Sequence, residues 1–195
     1  MCTLNIAAII LAAGSSQRLG RPKQNELLAG ETLLQRAIRT AVEADLSPII
    51  VVVRNAICPA LASQDAVEVV INSNPDEGIA SSIHCGISAL SSRALEGAVI
   101  MTCDQPAVTA SHLHALCADK ARIAGSRYAR TIGVPAYFPE ESFAALAQLG
   151  GDSGARMLLQ TAHSVAAESL ELDIDTQQDL DRARALFESN PHEAS

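Results

Sequence analysis

Ile6-Ala7-Ala8-Ile9-Ile10-Leu11-Ala12-Ala13-Gly14-Ser15-Ser16-Gln17-Arg18-Leu19-Gly20-Arg21-Pro22-Lys23 is the stretch from which the rest of the chain is read. Residues 6–13 are an unbroken apolar run rich in Ile, with the length of a strand buried on both faces. The run then breaks into small residues, Gly14, Ser15 and Ser16. Gly14 and Gly20 give the backbone room to turn and to approach a ligand closely. Arg18, Arg21 and Lys23 share the same loop. A buried strand feeding a small-residue loop that carries cations suits phosphate, because backbone N–H groups can cradle the oxygens while the cations neutralise them. Neither a Gly-Lys-Ser/Thr P-loop nor a Gly-x-Gly-x-x-Gly fingerprint is present. A strand-to-helix turn with solvated cations is the other reading of this spacing.

Working outward, 195 residues fit one domain, 1–195, with a frayed tail at 189–195. Hydrophobic residues make up 48% and charged residues 18%, which implies a globular chain. Aromatics are only 3% and Trp is absent, so a base-stacking surface for single-stranded nucleic acid is not expected. A net charge of −8 without a basic run also argues against nucleic acid or anionic membrane as a partner. No apolar stretch approaches the roughly 18 residues of a membrane span. Residues 1–5 lack the basic region of a signal peptide. Cys2, Cys58, Cys85, Cys103 and Cys117 are scattered, with no Cys-x-x-Cys pair, so neither a zinc site nor a disulfide framework is expected. The simplest location is a reducing cytoplasm. Composition leaves the oligomeric state open and is compatible with a monomer.

Periodicity predicts strands at 6–13, 49–53, 67–71 and 97–101, short strand pieces at 125–129 and 132–138, and a last strand at 164–172. It predicts helices at 31–44, 56–64 (weaker), 79–90, 109–123 capped by Thr109, 142–149 and 157–161, with a final helix from Gln177. Alternating helices and β-branched runs imply βαβ units. The expected fold class is α/β, a three-layer Rossmann-like arrangement with a mainly parallel sheet and helices on both faces. His112 and His114 are two apart and share no helical face, so neither is read as a ligand.

Three further places carry candidate chemistry. Ser81 and Ser82 fall in the first turn of the 79–90 helix, where they can cap it or meet a ligand. Asp104 follows the 97–101 strand, on the edge where open α/β sheets bind ligands. A carboxylate beside a phosphate site suits a hard cation such as Mg²⁺, held through one or two carboxylates plus phosphate oxygens; capping the turn before Pro106 is the alternative. Asp173 and Asp175, two apart after the last strand, share a face in a strand and can supply a second ligand facing Asp104. Asp175 can instead cap the final helix.

Leu-Ala-Ala-Gly-Ser-Ser-x-Arg-Leu-Gly-x-x-Lys at Leu11, Ala12, Ala13, Gly14, Ser15, Arg18 and Lys23 resembles the signature loop of nucleotidyltransferases that join a nucleoside triphosphate to a phosphorylated acceptor. Within that superfamily it is most similar to molybdenum cofactor cytidylyltransferases. The segments Gly78-Ile79-Ala80-Ser81-Ser82-Ile83, Asp104-Gln105-Pro106, Thr131 onward to Phe138, and Gly151-Asp152-Ser153-Gly154-Ala155-Arg156 follow in the family's order. The resemblance implies that Arg18 and Lys23 hold the triphosphate. It implies that Leu11, Ala12, Ala13, Gly14 and Ser15, with Ser81 and Ser82, read base and ribose, and that Gly133, Pro135, Asp152 and Arg156 line the acceptor. Mg²⁺ is expected on Asp104 with Asp173 or Asp175. Ala12-Ala13-Gly14 looks like the cytidine-using branch, because the guanosine-using branch more often has Gly in place of Ala13. The implied partners are CTP, molybdenum cofactor and a molybdenum hydroxylase or its chaperone. Val134 departs from the His common among relatives that handle this cofactor. The sequence thus leaves open another phosphorylated acceptor such as a sugar or polyol phosphate, the use of GTP, or a non-catalytic accessory protein that handles the cofactor.

Overall fold

The computed structural model describes residues 5–55, 67–129, 131–151 and 154–189. The helix expected at 56–64 and the tail beyond 189 lie outside them.

Strand β1 (Ile6–Ala12) is buried along its whole length, as its lack of polar residues demands. It is central because it pairs in parallel with β4 (Ile49–Val53) on one side and β6 (Gly97–Thr102) on the other. The sheet has seven strands in the order β5-β4-β1-β6-β8-β7-β9. Here β5 is Val67–Ile71, β7 Ala124–Tyr128, β8 Thr131–Pro139 and β9 His163–Ala166. Within it β8 alone runs against its neighbours β6 and β7, while β9 is parallel to β7. Strands β2 (Leu27–Leu28) and β3 (Glu31–Thr32) form a separate two-stranded hairpin.

Alternation along β1 separates two cores. Ile6, Ala8, Ile10 and Ala12 share a cluster with Leu34 and Ile38 of helix α1 (Leu33–Glu43) and Leu113 and Leu116 of α3 (Ala110–Leu116). Ala7, Ile9, Leu11 and Ala13 share the other with Ile83 and Ile87 of α2 (Ile79–Leu90), Leu146 of α4 (Phe143–Leu146) and Leu159 of α5 (Arg156–Leu159). The expected three-layer α/β class is therefore the observed one. Helix α6 (Gln177–Ser189) covers the hairpin through a third cluster of Leu28, Leu33, Ile174, Leu180 and Ala183. Among the described residues no helix is long and apolar enough to cross a membrane.

Several boundaries differ from the sequence expectation, each for a local reason. The helix expected from 31 begins at Leu33 because Glu31 and Thr32 pair with β2. Thr32 then caps α1 in a reciprocal box with Gln35. The helix expected to reach 123 stops at Leu116. Just beyond it, the Asp119 carboxylate accepts the Ala121 N–H and offers the backbone a competing turn. The helix expected at 142–149 is a 3-10 turn, Glu140–Ser142, followed by the single turn of α4. The last strand ends at Ala166, not 172, because β7, its only partner among the described residues, ends at Tyr128 and Ala167 turns into a 3-10 helix, Glu168–Leu170. Asp173 and Asp175 therefore do not belong to a strand.

From β1 the chain reaches β4 and β5 on one side, then crosses through α2 to β6 on the other. The register sets Leu11 beside both Val52 and Thr102. The loops after β1, β4 and β6 consequently open on one edge, at a topological switch point.

Candidate active site

The loop after β1 is folded by its own small residues. The Gly20 N–H donates to the Ser16 carbonyl at 3.0 Å, with Ser16 and Gly20 at φ +50° and +75°. Ser16 Oγ accepts the Lys23 N–H at 3.2 Å. Gly14 is not left-handed; a Cβ there would meet nothing, so its surface lies open beside the cleft. Arg21 leaves the loop's cationic group. It forks onto Glu26 and donates to Gln177 at 2.7 Å, fastening the loop to α6.

Lys23 and Arg18 are brought to the acidic side of the edge. The Lys23 ammonium contacts Asp104 Oδ2 and lies 3.1 Å from Asp175 Oδ1. Arg18, 71% exposed, lies 2.7 Å from Asp175 Oδ2. Burial disfavours the Lys23 ammonium, but Asp104 and Asp175 outweigh it and hold its pKa above the ordinary value. The segment carrying Asp175 is pinned by the Ile174 N–H, which donates to the Asp104 carbonyl at 2.9 Å. Asp175 is not the α6 cap. Thr176 Oγ1 accepts the Asp179 N–H, and Asp179 Oδ2 accepts the Thr176 N–H at 2.8 Å. Both Asp175 oxygens are thus committed to cations. Asp173 is different: burial, then the negative field of Asp104, raises its pKa, while the Gln105 side chain pulls the other way.

Lys23 and Asp104 border a cleft of about 430 Å³ lined by Leu11–Ser15 from β1 and its loop, Thr102–Asp104 at and beyond the end of β6, and Arg54, Asp76, Gly78 and Ser82 opposite. Because β1 lies between β4 and β6, the cleft crosses two strand spacings, about 10 Å. Ser82 lines it. Ser81 does not; its hydroxyl donates to the Gly78 carbonyl at 2.8 Å and accepts from Asn72 Nδ2. Asn72 also reaches Ser82 at 3.0 Å and so fixes the start of α2. Gly78, at φ +94° and ψ 179°, holds a backbone conformation open essentially to glycine alone.

The acceptor-side residues stand apart from this cleft. Gly133 and Pro135 lie on β8, Pro135 buried, and Arg156 opens α5 with its side chain exposed. Asp152 lies outside the described residues. Sequence reasoning missed Arg54 and Asp76, paired at 2.8 Å on the far wall. Arg54 follows β4 on the ligand-binding edge, the same signal that singled out Asp104 after β6.

The donor set fits a hard divalent cation. Asp104 Oδ1 is buried with no hydrogen-bond partner among the described residues, and the neighbouring ligating atoms are carboxylate oxygens. No group of three or more His, Cys, Asp or Glu residues among the described ones forms a ready metal cage. Such an edge suits a cation that brings phosphate oxygens with it.

Residues 8–167 match the family described as MobA-like NTP transferase domain, a span from β1 to the end of β9 that stops short of Asp173 and Asp175. The chain is 30% identical to the purine catabolism protein PucB of Bacillus subtilis, covering 92% of this chain and 96% of that one. It is 31% identical over 106 residues to a probable molybdenum cofactor guanylyltransferase of Opitutus terrae, covering 54% of this chain and 51% of that one. The chain spans about half the length of this second relative. Among solved structures, Rv0371c of Mycobacterium tuberculosis is similar at 30% identity and a TM-score of 0.78, over 92% of this chain and 98% of that one. A complex of Rv0371c with manganese is similar at 28% identity and a TM-score of 0.74, over 94% and 99% of the two chains.

Proposed function

Given that the chain belongs to the MobA-like NTP transferase family, we propose that it transfers CMP from CTP to the phosphate of molybdenum cofactor and releases pyrophosphate. The observation that carries this reading is the meeting of Lys23 and Asp104 beside the open backbone of Gly14 and Ser15. An acceptor phosphate, with a second pKa of about 6, is already largely ionised near neutrality and needs no general base. Its oxygen attacks the α-phosphorus and pyrophosphate leaves. The chain's work is then positioning and charge neutralisation. Lys23 and Arg18 hold the triphosphate, exchanging their carboxylate partners for phosphate oxygens. Ser82 and the backbone of Ala13, Gly14 and Ser15 face base and ribose, and Ser81 supports them through Asn72.

Mg²⁺, when bound, supplies charge neutralisation between the triphosphate and the acceptor. Asp104, with Asp173 or Asp175, would hold it. The repulsion between Asp173 and Asp104 is what a cation relieves, and Asp175 is freed for the same role once Arg18 and Lys23 turn to phosphate. The manganese complex of Rv0371c supports a divalent cation. Cytidine is supported by Ala13 in the run Ala12-Ala13-Gly14, where the guanosine-using branch of the resembled family more often has Gly. The guanylyltransferase of Opitutus terrae favours GTP as the second reading. Thermal-shift titrations with CTP and GTP in Mg²⁺ decide between them. Stabilisation by CTP with GTP inert is expected, and the reverse order overturns the cytidine assignment.

A further inference from the structure

Opposite β7, strand β8 carries two residues too many. Gly125 pairs with Ala136 and Ser126 with Gly133, so Val134 and Pro135 lie opposite no residue of β7. The pairing of β8 with β6 runs only from Pro139 to Ala136. The bulge therefore presents two carbonyls without ladder partners, and side chains take both. Tyr128 Oη donates to the Val134 carbonyl at 3.0 Å, and Ser126 Oγ donates to the Pro135 carbonyl at 2.6 Å.

With its one hydrogen directed to a carbonyl, each hydroxyl still has lone pairs with which to accept. Ser126 Oγ lies 2.7 Å from His112 Nε2, which must then carry the hydrogen. Tyr128 Oη accepts from Gln105 Nε2 at 3.3 Å, and Gln105 Oε1 accepts from Thr102 Oγ1 at 3.3 Å. Gln105 directly follows Asp104, whose carbonyl accepts the Ile174 N–H at 2.9 Å and so ties the segment carrying Asp173 to the same turn. The chain of bonds runs one way, from Gln105 through Tyr128 to Val134. Burial pushes the Tyr128 hydroxyl up to about 12, so it remains a donor at any working pH.

We propose that Tyr128 and Gln105 are positioning residues, which tie the bulged wall at Val134 and Pro135 to the two carboxylates Asp104 and Asp173 and so set the spacing between acceptor and cation. The inference rests on the nucleotidyltransferase reading above. Gln105, held by Tyr128 and Thr102, fixes the turn that carries Asp104 and, through the Ile174 N–H, the segment of Asp173, as outer hydrogen bonds orient metal-binding carboxylates. Tyr128 prevents the bulge from drifting relative to that pair.

The test uses Tyr128→Phe and Gln105→Leu in the full chain with two readouts. The first is Mn²⁺ affinity in the presence of CTP, followed by electron paramagnetic resonance. Gln105→Leu is expected to weaken it by roughly tenfold, the scale of a lost outer hydrogen bond at a metal site. The second is pyrophosphate release with molybdenum cofactor as acceptor. Tyr128→Phe is expected to raise KM for the cofactor by about tenfold, as misplacement of a reacting partner does, with KM for CTP unchanged. Unchanged Mn²⁺ affinity and unchanged cofactor KM, with only a lowered Tm, overturn the proposal and make the network a support of the fold. A wild type that releases no pyrophosphate with this cofactor overturns the acceptor reading alone, and the Mn²⁺ titration then decides the positioning role by itself.

Discussion

At the scale of single residues, the ammonium of Lys23 between Asp104 and Asp175 is the centre of the account. Asp104→Asn keeps the shape of the side chain and removes its charge. We expect it to lower pyrophosphate release by at least about a hundredfold, the usual scale for losing one electrostatic partner of a transition state. Circular dichroism should remain that of the wild type; near-normal turnover would remove Asp104 from the site. The position of Asp104 was legible because it stands just past a buried strand on the ligand edge, and that of Lys23 because it belongs to the small-residue, cation-bearing loop that follows β1. The commitment of Asp175 to Arg18 and Lys23 was not, since it depends on the chain folding back across the whole sheet. Its alternative reading as a helix cap gave way to Thr176 and Asp179, a capping pair one residue further on. His112 offers a pH test. Burial lowers its pKa from 6.5, so the neutral ring is favoured in the fold. Its stabilising contribution is full above 6.5 and is lost as pH falls through 6.5 toward the lower folded value. Tm should therefore fall between about pH 7 and pH 5 more steeply in the wild type than in His112→Asn. Equal slopes would contradict this.

Among the elements, the most exacting junction is where β6 meets the antiparallel β8. Gly97 pairs with Pro139 there, and a Cβ at Gly97 would lie 2.5 Å from the Phe138 carbonyl and 2.6 Å from the Tyr137 ring. Both neighbours are fully buried and cannot retreat. Gly97→Ala should cost about 1–3 kcal/mol or more, as overpacking does, and denaturant unfolding measures it. An unchanged midpoint would show that the junction yields. The short β-branched runs β4 and β5 were legible to the residue, and the periodic helix α2 closely so. Errors gathered where a local competitor cut an element short: the Asp119 turn after α3, the β2–β3 hairpin before α1, and the loss of a partner strand beyond Ala166. In the run 164–172 Val165 is the one β-branched residue among Ala, Glu, Ser and Leu, and the strand lasts only as long as its neighbour does.

Over the whole molecule, one crossing decides function. The chain departs from β1 toward β4 and β5, then returns through α2 to β6, which opens a cleft where the loops after three parallel strands meet. Alternation of short β-branched runs with helices was enough to predict that class. The C-terminal helix closes the arrangement, because Arg21 and the cluster around Leu28 and Leu180 bind it to the loop and hairpin that follow β1. The residues expected at the acceptor were the least legible: Gly133 and Pro135 lie on an antiparallel strand and Arg156 on a single-turn helix, apart from the cleft. The most direct measurement of the central claim is pyrophosphate release by the wild-type chain from CTP, with Mg²⁺, with and without molybdenum cofactor. Release that requires CTP and the cofactor together is the predicted result. No release from CTP or GTP with the cofactor present, from a folded chain, would contradict it.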